Sequence, residues 1–295
     1  MTQSFDLVTK FQPILDKIYQ KSSLTAPLDS VSQPLSFAGA NVVKVFKMTM
    51  GGLGDFARGA DYPVGEIIGT WEALTLACSR ARTLKVSRQD NEETLGQAFG
   101  LVAGEFMRTK VVPEVDAYRF AKYASWASIS AATPGTLTSS TVLPAIDAAS
   151  LQMDEDEVPS EGRYLFVSST VGKFIDAAVT RMLGNESSAN RLLKTLDEMT
   201  IVRVPQSRFY TIIDLEAGAT PSAPGHYSKN SSGKDINFML IHPSSVLQVK
   251  KQAIEKIFSP DVVQGSDNWL FDYSIYHDAF VYTEKVNGVY LHKKA

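Results

Sequence analysis

From Glu72 to Arg88 the side chains alternate almost without break, with Leu74, Leu76, Cys78, Leu84 and Val86 on even positions and Ala73, Thr75, Ala77, Ser79, Ala81, Thr83, Lys85 and Ser87 on odd ones. A period of two predicts a strand with one apolar face and one small or polar face. The run exceeds the roughly 3 to 10 residues of an ordinary strand, which predicts an arm that leaves its own domain and finds support on another molecule. Residues 41–50 form a second strand-like run, and the loop over 51–69 between the two carries six glycines and one proline. Those residues favour turns. Upstream, Leu7, Val8, Phe11, Ile14, Leu15 and Ile18 recur at three and four, the spacing of an amphipathic helix that Pro13 weakens or divides. Residues 22–36 are rich in Ser and Pro and read as an extended connector, so the N-terminus is expected to be an arm.

Beyond the alternating run, Asp90 followed by Glu93 has the form of a helix-capping pair. Leu95, Phe99, Val102 and Phe106 make an apolar stripe that predicts a helix to about Val112, and Pro113 fits the first turn of a following helix toward Trp126. Residues 131–140, rich in Ala, Thr, Ser, Gly and Pro, predict a boundary. After it come a helix over 143–153, a short buried strand over 164–167 and a helix over 171–183, a mixed α/β layer. Near the end, strand-like residues 280–283 and 289–291 flank Asn287-Gly288, the strongest short signal for a tight hairpin.

The bulk composition narrows the classes. With 295 residues, 44% hydrophobic and 21% charged, the chain has length and apolar content for one large core or two modest ones. A formal net charge of -3 argues against a protein whose task is neutralising phosphates. Cys78 is the one cysteine, so an intrachain disulfide and a cysteine-based zinc site are excluded. The first residues lack the continuous apolar core of a signal peptide, and no run reaches the ~20 apolar residues of a membrane-spanning helix. The chain reads as a soluble protein used without export.

Catalytic constellations are weak. Gly52, Gly54 and Ala57 match a variant dinucleotide-binding fingerprint, but Gly59, Pro63 and Gly65 interrupt the helix that motif requires. The acidic run Asp154, Glu155, Asp156 and Glu157 departs from the calcium-loop pattern at Val158 and Pro159 and reads as a solvated loop. His226, His242, His277 and His292 are scattered, no Gly-x-Ser-x-Gly elbow occurs, and Cys78 lies within a strand rather than at a helix start. The expectation is a protein that is not an enzyme and carries no cofactor or metal. Arg80, Arg82, Lys85 and Arg88 cluster among small neighbours without aromatic platforms, which favours salt bridges to another subunit over nucleic-acid contact.

The order of parts, together with Ser87-Arg-Gln-Asp-Asn-Glu-Glu93, Glu105-Phe-Met-Arg-Thr-Lys-Val-Val-Pro-Glu-Val-Asp-Ala-Tyr-Arg-Phe120, Val204-Pro-Gln-Ser-Arg-Phe-Tyr210 and Tyr276-His-Asp-Ala-Phe-Val-Tyr282, resembles tailed-phage major capsid proteins of the Hong Kong 97-like fold. The resemblance spans nearly the whole chain, and its specificity lies in the number and order of the strings. It implies an α+β fold with an N-terminal arm (1–36), a peripheral domain begun by 37–130, an axial domain over 131–259, and a closing β-ribbon over 260–295 that completes the peripheral domain. An extended β-hairpin loop would occupy about 48–88 and a long spine helix about 90–112. It further implies hexamers and pentamers of an icosahedral shell around double-stranded DNA, assembled in the host cytoplasm with a separate scaffolding protein and a portal protein. Contacts between subunits are expected at Gly52, Gly54, Phe56, Arg58, Asp61, Arg80 and Arg82 of the extended loop and at Arg203, Arg208 and Tyr210 of the axial domain. The alternative is a shell of the same fold that encloses a protein cargo.

Overall fold

The computed structural model describes residues 23–30, 36–37, 41–55, 58, 65–88, 103–182, 194–218, 224–262 and 267–295. The amphipathic pattern over 5–19 and the capping pair at Asp90 and Glu93 lie outside them. In chain order the early strands are β1 (Ser36–Phe37), β2 (Val42–Met50), β3 (Ile67–Thr75), β4 (Cys78–Ser87) and β5 (Ser130–Ala131), with helix α1 (Val112–Ala124) between β4 and β5. Next come α2 (Val142–Glu155), β6 (Tyr164–Ser168), α3 (Ser169–Met182), β7 (Thr195–Leu196), β8 (Met199–Val204), β9 (Ile213–Leu215) and β10 (Tyr227–Lys229). The chain ends with β11 (Ile236–Ile241), β12 (Val246–Phe258), β13 (Asn268–Val281) and β14 (Val289–Lys293). Helices α2 and α3 and strands β2 and β6 lie where the periodicity predicts them.

A six-stranded sheet in the order β5-β14-β11-β6-β8-β7 forms one centre of packing. Its middle strands are covered on both faces, which is why β11 reads Ile-Asn-Phe-Met-Leu-Ile with every residue buried. Leu165, Val167, Phe238 and Leu240 face α2 and α3, meeting Ile146, Met153 and Ile175. Phe166, Met239 and Ile241 point the other way, toward Phe120 and Tyr123 of α1. The second centre is the three-stranded sheet β12-β13-β4. Phe271, Tyr273 and Ile275 of β13 pack there on Met107, Val111 and Val115, so one helix serves both sheets along its length.

That helix corrects a boundary. It does not stop near Val112 to restart at Pro113; helical residues 103–106 run through a wide π turn, Met107–Val111, directly into α1. The Val112 N–H bonds to the Met107 carbonyl five residues back. An interior proline has no N–H and crowds the carbonyl four residues before it, and a widened turn just ahead of Pro113 relieves that crowding without ending the helix.

The strand-like run over 72–88 is two strands in two sheets. β3 pairs with β2 from Thr75↔Val42 to Ile67↔Met50, whereas β4 pairs with β13 from Cys78↔His277 to Ser87↔Asn268. The switch falls at Leu76 and Ala77, whose N–H groups go to the Asn41 carbonyl (2.9 Å) and to Asp278 Oδ2 (2.8 Å). Alternation survives the switch because Leu74, Leu76 and Cys78 are all buried. β3 also begins at Ile67, inside the stretch expected to be loop.

Asn287-Gly288 closes no hairpin, and the expected ribbon over 260–295 is corrected. β13 pairs with β12 and β4, β14 joins the six-stranded sheet beside β11 and β5, and a short 3-10 segment, Thr283–Gly288, links them. Gly288 is required by close approach: a Cβ there would lie 1.7 Å from Ser245 Oγ. The ribbon is instead β12 with β13, so 246–258, grouped by sequence with the axial part, pairs within the other sheet. The Ser- and Pro-rich connector is corrected in part as well. Ser23, Thr25 and Leu28 are buried, so residues 23–30 belong to the body and not to a free arm.

Candidate functional site

Antiparallel β2 and β3 form a hairpin whose strands, at about 3.3 Å per residue, are each about 30 Å long. Its two faces differ. On one, Val43 and Leu74 at the base are buried against Leu247, Val249 and Phe280. Further out on that face Lys47 pairs with Glu284, and Thr283 Oγ1 donates to Glu72 Oε1 at 2.8 Å. The Lys47 ammonium is held above its ordinary pKa by that carboxylate partner.

The opposite face carries Phe46, Met48 and Met50 beside Trp71 and Ile67, each between 51 and 67% exposed. Phe46 and Trp71 meet edge to face with ring centres 5.2 Å apart. Gly69 lets the Phe46 ring lie over the β3 backbone, since a Cβ there would meet it at 2.8 Å. A contiguous apolar face of this kind marks a surface for another molecule, and an isolated two-stranded ribbon is at best marginally stable without further support.

Not all the sequence-expected contacts lie on this hairpin. Gly52 and Gly54 are exposed at its tip beside the fully exposed Leu53, and Arg58 is exposed in the turn; Phe56 and Asp61 lie outside the described residues. Arg80 and Arg82 stand on β4 instead, away from the extended loop, and are engaged within their own chain. Arg80 Nε and Nη2 donate to the two oxygens of Glu114 on α1 at 2.7 and 3.3 Å, while its Nη1 reaches the Glu216 carbonyl at 2.8 Å. Arg82 Nη1 reaches the Gly218 carbonyl at 3.4 Å. The cluster thus fastens the loop beyond β9 to β4 and α1.

Arg203, Arg208 and Tyr210 likewise have partners within the chain. Arg203 Nη2 bonds to Asp176 Oδ1 on α3 at 2.7 Å, Arg208 Nη1 lies 3.4 Å from Asp116 Oδ2 on α1, and Lys229 Nζ sits 5.5 Å from the centre of the Tyr210 ring. What the sequence reading missed is the strip of Phe46, Met48, Met50, Ile67 and Trp71. Its signal was present, since alternate positions of 42–50 are apolar on both faces, and only the pairing with β3 turns one of those faces outward.

Groups of chemical interest elsewhere sit in quiet surroundings. Burial pushes the Cys78 thiol up to about 12. Burial, with Arg119 and Lys250 nearby, pulls His277 down to about 3, which keeps it neutral against the Tyr118 ring. His292 stacks on Phe238. Asp154 of the acidic run pairs with the buried Arg163 at 2.7 Å. Among the described residues no group of three or more His, Cys, Asp or Glu is arranged to hold a metal ion, and no helix is long and apolar enough to cross a membrane.

No protein-family model and no curated protein matches the sequence. Solved structures do match. The capsid of the cyanophage P-SCSP1u superposes with a TM-score of 0.58 at 13% identity, covering 88% of this chain and 85% of that one. A structure from Gordonia phage Cozz gives 0.60 at 10% identity over 92% and 87% of the two chains. A virus-like particle from Pyrococcus furiosus gives 0.56 at 10% identity over 96% and 98%. The mixed helix and strand architecture of this chain is thus similar in fold to the cyanophage capsid and to the virus-like particle.

Proposed function

We propose that this chain is a shell-forming subunit, the major capsid protein of a tailed phage or prophage. The observation that carries the reading is the outward apolar strip of Phe46, Met48, Met50, Ile67 and Trp71 on a ribbon its own body leaves half covered. A likeness over nearly the whole chain to a cyanophage capsid supports it. In this reading the hairpin lies across a second copy, and the receiving surface is the open face of the β12-β13-β4 sheet. A cleft of about 530 Å³ lies there, lined by Thr83, Ile254, Lys256, Asp272 and Ser274. The three-stranded sheet with its helix forms the peripheral part of the subunit and the six-stranded sheet the axial part.

Repeating one modest contact around rings of six and five closes an icosahedral shell, so single contacts stay weak and correctable while the closed assembly is stable. Double-stranded DNA is the cargo, a separate scaffolding protein and a portal are the assembly partners, and assembly takes place in the host cytoplasm. A net charge of -3 suits a lining that must later release the genome. The role is structural rather than enzymatic. A cargo-enclosing compartment is the second reading, favoured by the likeness to the Pyrococcus particle over 96% of this chain.

Negative-stain microscopy of the purified protein, with and without a co-expressed scaffolding candidate, tests the proposal. Closed shells are expected, and monomers under both conditions would overturn it. Nuclease-protected DNA inside the shells favours the virion; a protein cargo favours the compartment. Met48→Ser with Trp71→Ser is expected to give folded subunits that form no shells.

A further inference from the structure

A polar slot on α1 remains outside the shell reading. Asp116 is fully buried, yet its carboxylate is crowded with donors from a segment more than ninety residues away in sequence. Ser23 Oγ donates to Oδ1 at 2.8 Å, the Leu24 N–H to Oδ2 at 2.9 Å, and Thr25 gives Oδ1 both its hydroxyl at 2.8 Å and its N–H at 3.4 Å. Arg208 Nη1 adds a further donor to Oδ2 at 3.4 Å. Arg119, itself buried, donates to Thr25 Oγ1 at 2.8 Å and lies 3.5 Å from Asp29. Gln248 of β12 donates to the Thr25 carbonyl at 3.3 Å. Beyond these, the short 3-10 turn Ala26–Ser30 sets Leu28 into the apolar cluster containing Phe120 and Tyr123.

This is the chemistry of peptide recognition. Side chains of two elements read two N–H groups, one carbonyl and two hydroxyls, and Leu28, with the half-buried Leu24 packed on the same cluster, supplies the apolar anchor. The bonds to the carboxylate are charge-assisted and leave Asp116 well satisfied only while the segment is docked. We propose that the slot is a peptide-binding site and that residues 23–30 are its ligand, docked as a separable unit whose occupancy is an equilibrium. The Ser-x-Thr spacing sets its specificity. Emptying the slot strips the Asp116 carboxylate of the donors of residues 23–25 and withdraws Leu28 from the cluster that Phe120 shares with Phe166 and Met239, so withdrawal of the segment loosens the seam where α1 meets the six-stranded sheet. Pull on the N-terminal region is thereby transmitted to the junction of the two sheets.

The test uses the full chain carrying Ser23→Ala, Thr25→Val and Leu28→Asp, which spoils the ligand and spares the slot. The probe is a fluorescein-labelled synthetic peptide of residues 22–31 followed by anisotropy. Binding at least tenfold tighter than to the unmodified chain, and lost when Asp116→Asn is added, is the expected result. Absent or equal binding, with the amides of α1 still protected from hydrogen exchange, overturns the proposal. Should the triple variant not fold, hydrogen exchange of the unmodified chain decides. Leu24 and Thr25 amides opening at least tenfold faster than those of β11 support a separable ligand; opening together with β11 overturns it.

Discussion

Strands β11 and β2 are similarly apolar, yet one is the centre of the molecule and the other its edge. β11 is buried at every position between α2 and α3 on one side and α1 on the other. β2 is buried at Val43 and grows more exposed toward Met50. The same kind of side chain therefore does two jobs. In β11 apolar area is removed from water on folding, at roughly 25 cal/mol per Å². In β2 it is held back on a narrow ribbon, where the same gain is available only on meeting another surface.

The largest expected effect lies on the buried side of this contrast. Phe166→Ala removes a ring packed edge to face on Phe120, and urea unfolding is expected to give a loss of about 3 to 5 kcal/mol. A loss below about 1 kcal/mol would mean that the sheet is not the core it is taken for.

His277 gives the next effect. Its folded pKa, about 3, lies below the ordinary 6.5, so between those values the unfolded chain binds a proton that the folded chain does not. Stability should therefore be unaffected by this group above pH 6.5 and fall as pH drops toward 3, by about 1 kcal/mol per pH unit. His277→Gln should flatten that limb of the pH–stability curve, and an unchanged slope would refute the assignment.

On the hairpin side, Met48→Ser with Trp71→Ser is expected to change the unfolding free energy from urea titration by no more than about 0.5 kcal/mol in the isolated subunit, because both side chains already face water. A large loss in the monomer would erase the distinction between the two regions. Smallest of all is Glu284→Gln, which removes the carboxylate paired with Lys47. Exposed ion pairs contribute little, so no resolvable change in thermal midpoint is expected, while hydrogen exchange in β2 and β3 should quicken. A clear drop in the midpoint would make this pair part of the core.

Much of the local structure is determined by the sequence alone, because it depends on neighbours along the chain. Apolar spacing of three and four in α2 and α3 and the continuous apolar run of β6 each specify one element whatever surrounds it. The two-residue period over 72–88 specifies extended backbone, and that is what forms. The likeness to phage capsid proteins has its counterpart in the overall fold, which is similar to that of a cyanophage capsid. The partners of the basic residues were less legible: Arg80 and Arg82 are bound within the chain to Glu114 and to the Glu216 and Gly218 carbonyls, which lie 34 and 136 positions away.

Which partner each strand takes was decided by tertiary structure. Periodicity records which face is buried, not by what, so the change of sheet at Leu76 leaves no mark when both sheets bury the same parity. Asn287-Gly288 carries a hairpin signal, but β14 is claimed by β11, and the local preference yields to a longer pairing. Pro113 remains within a helix because the π turn before it and packing at Val111, Val112 and Val115 outweigh its local cost. The docking of Ser23 and Thr25 on Asp116 joins residues 91 to 93 positions apart, a contact that depends on three-dimensional proximity and on no local pattern.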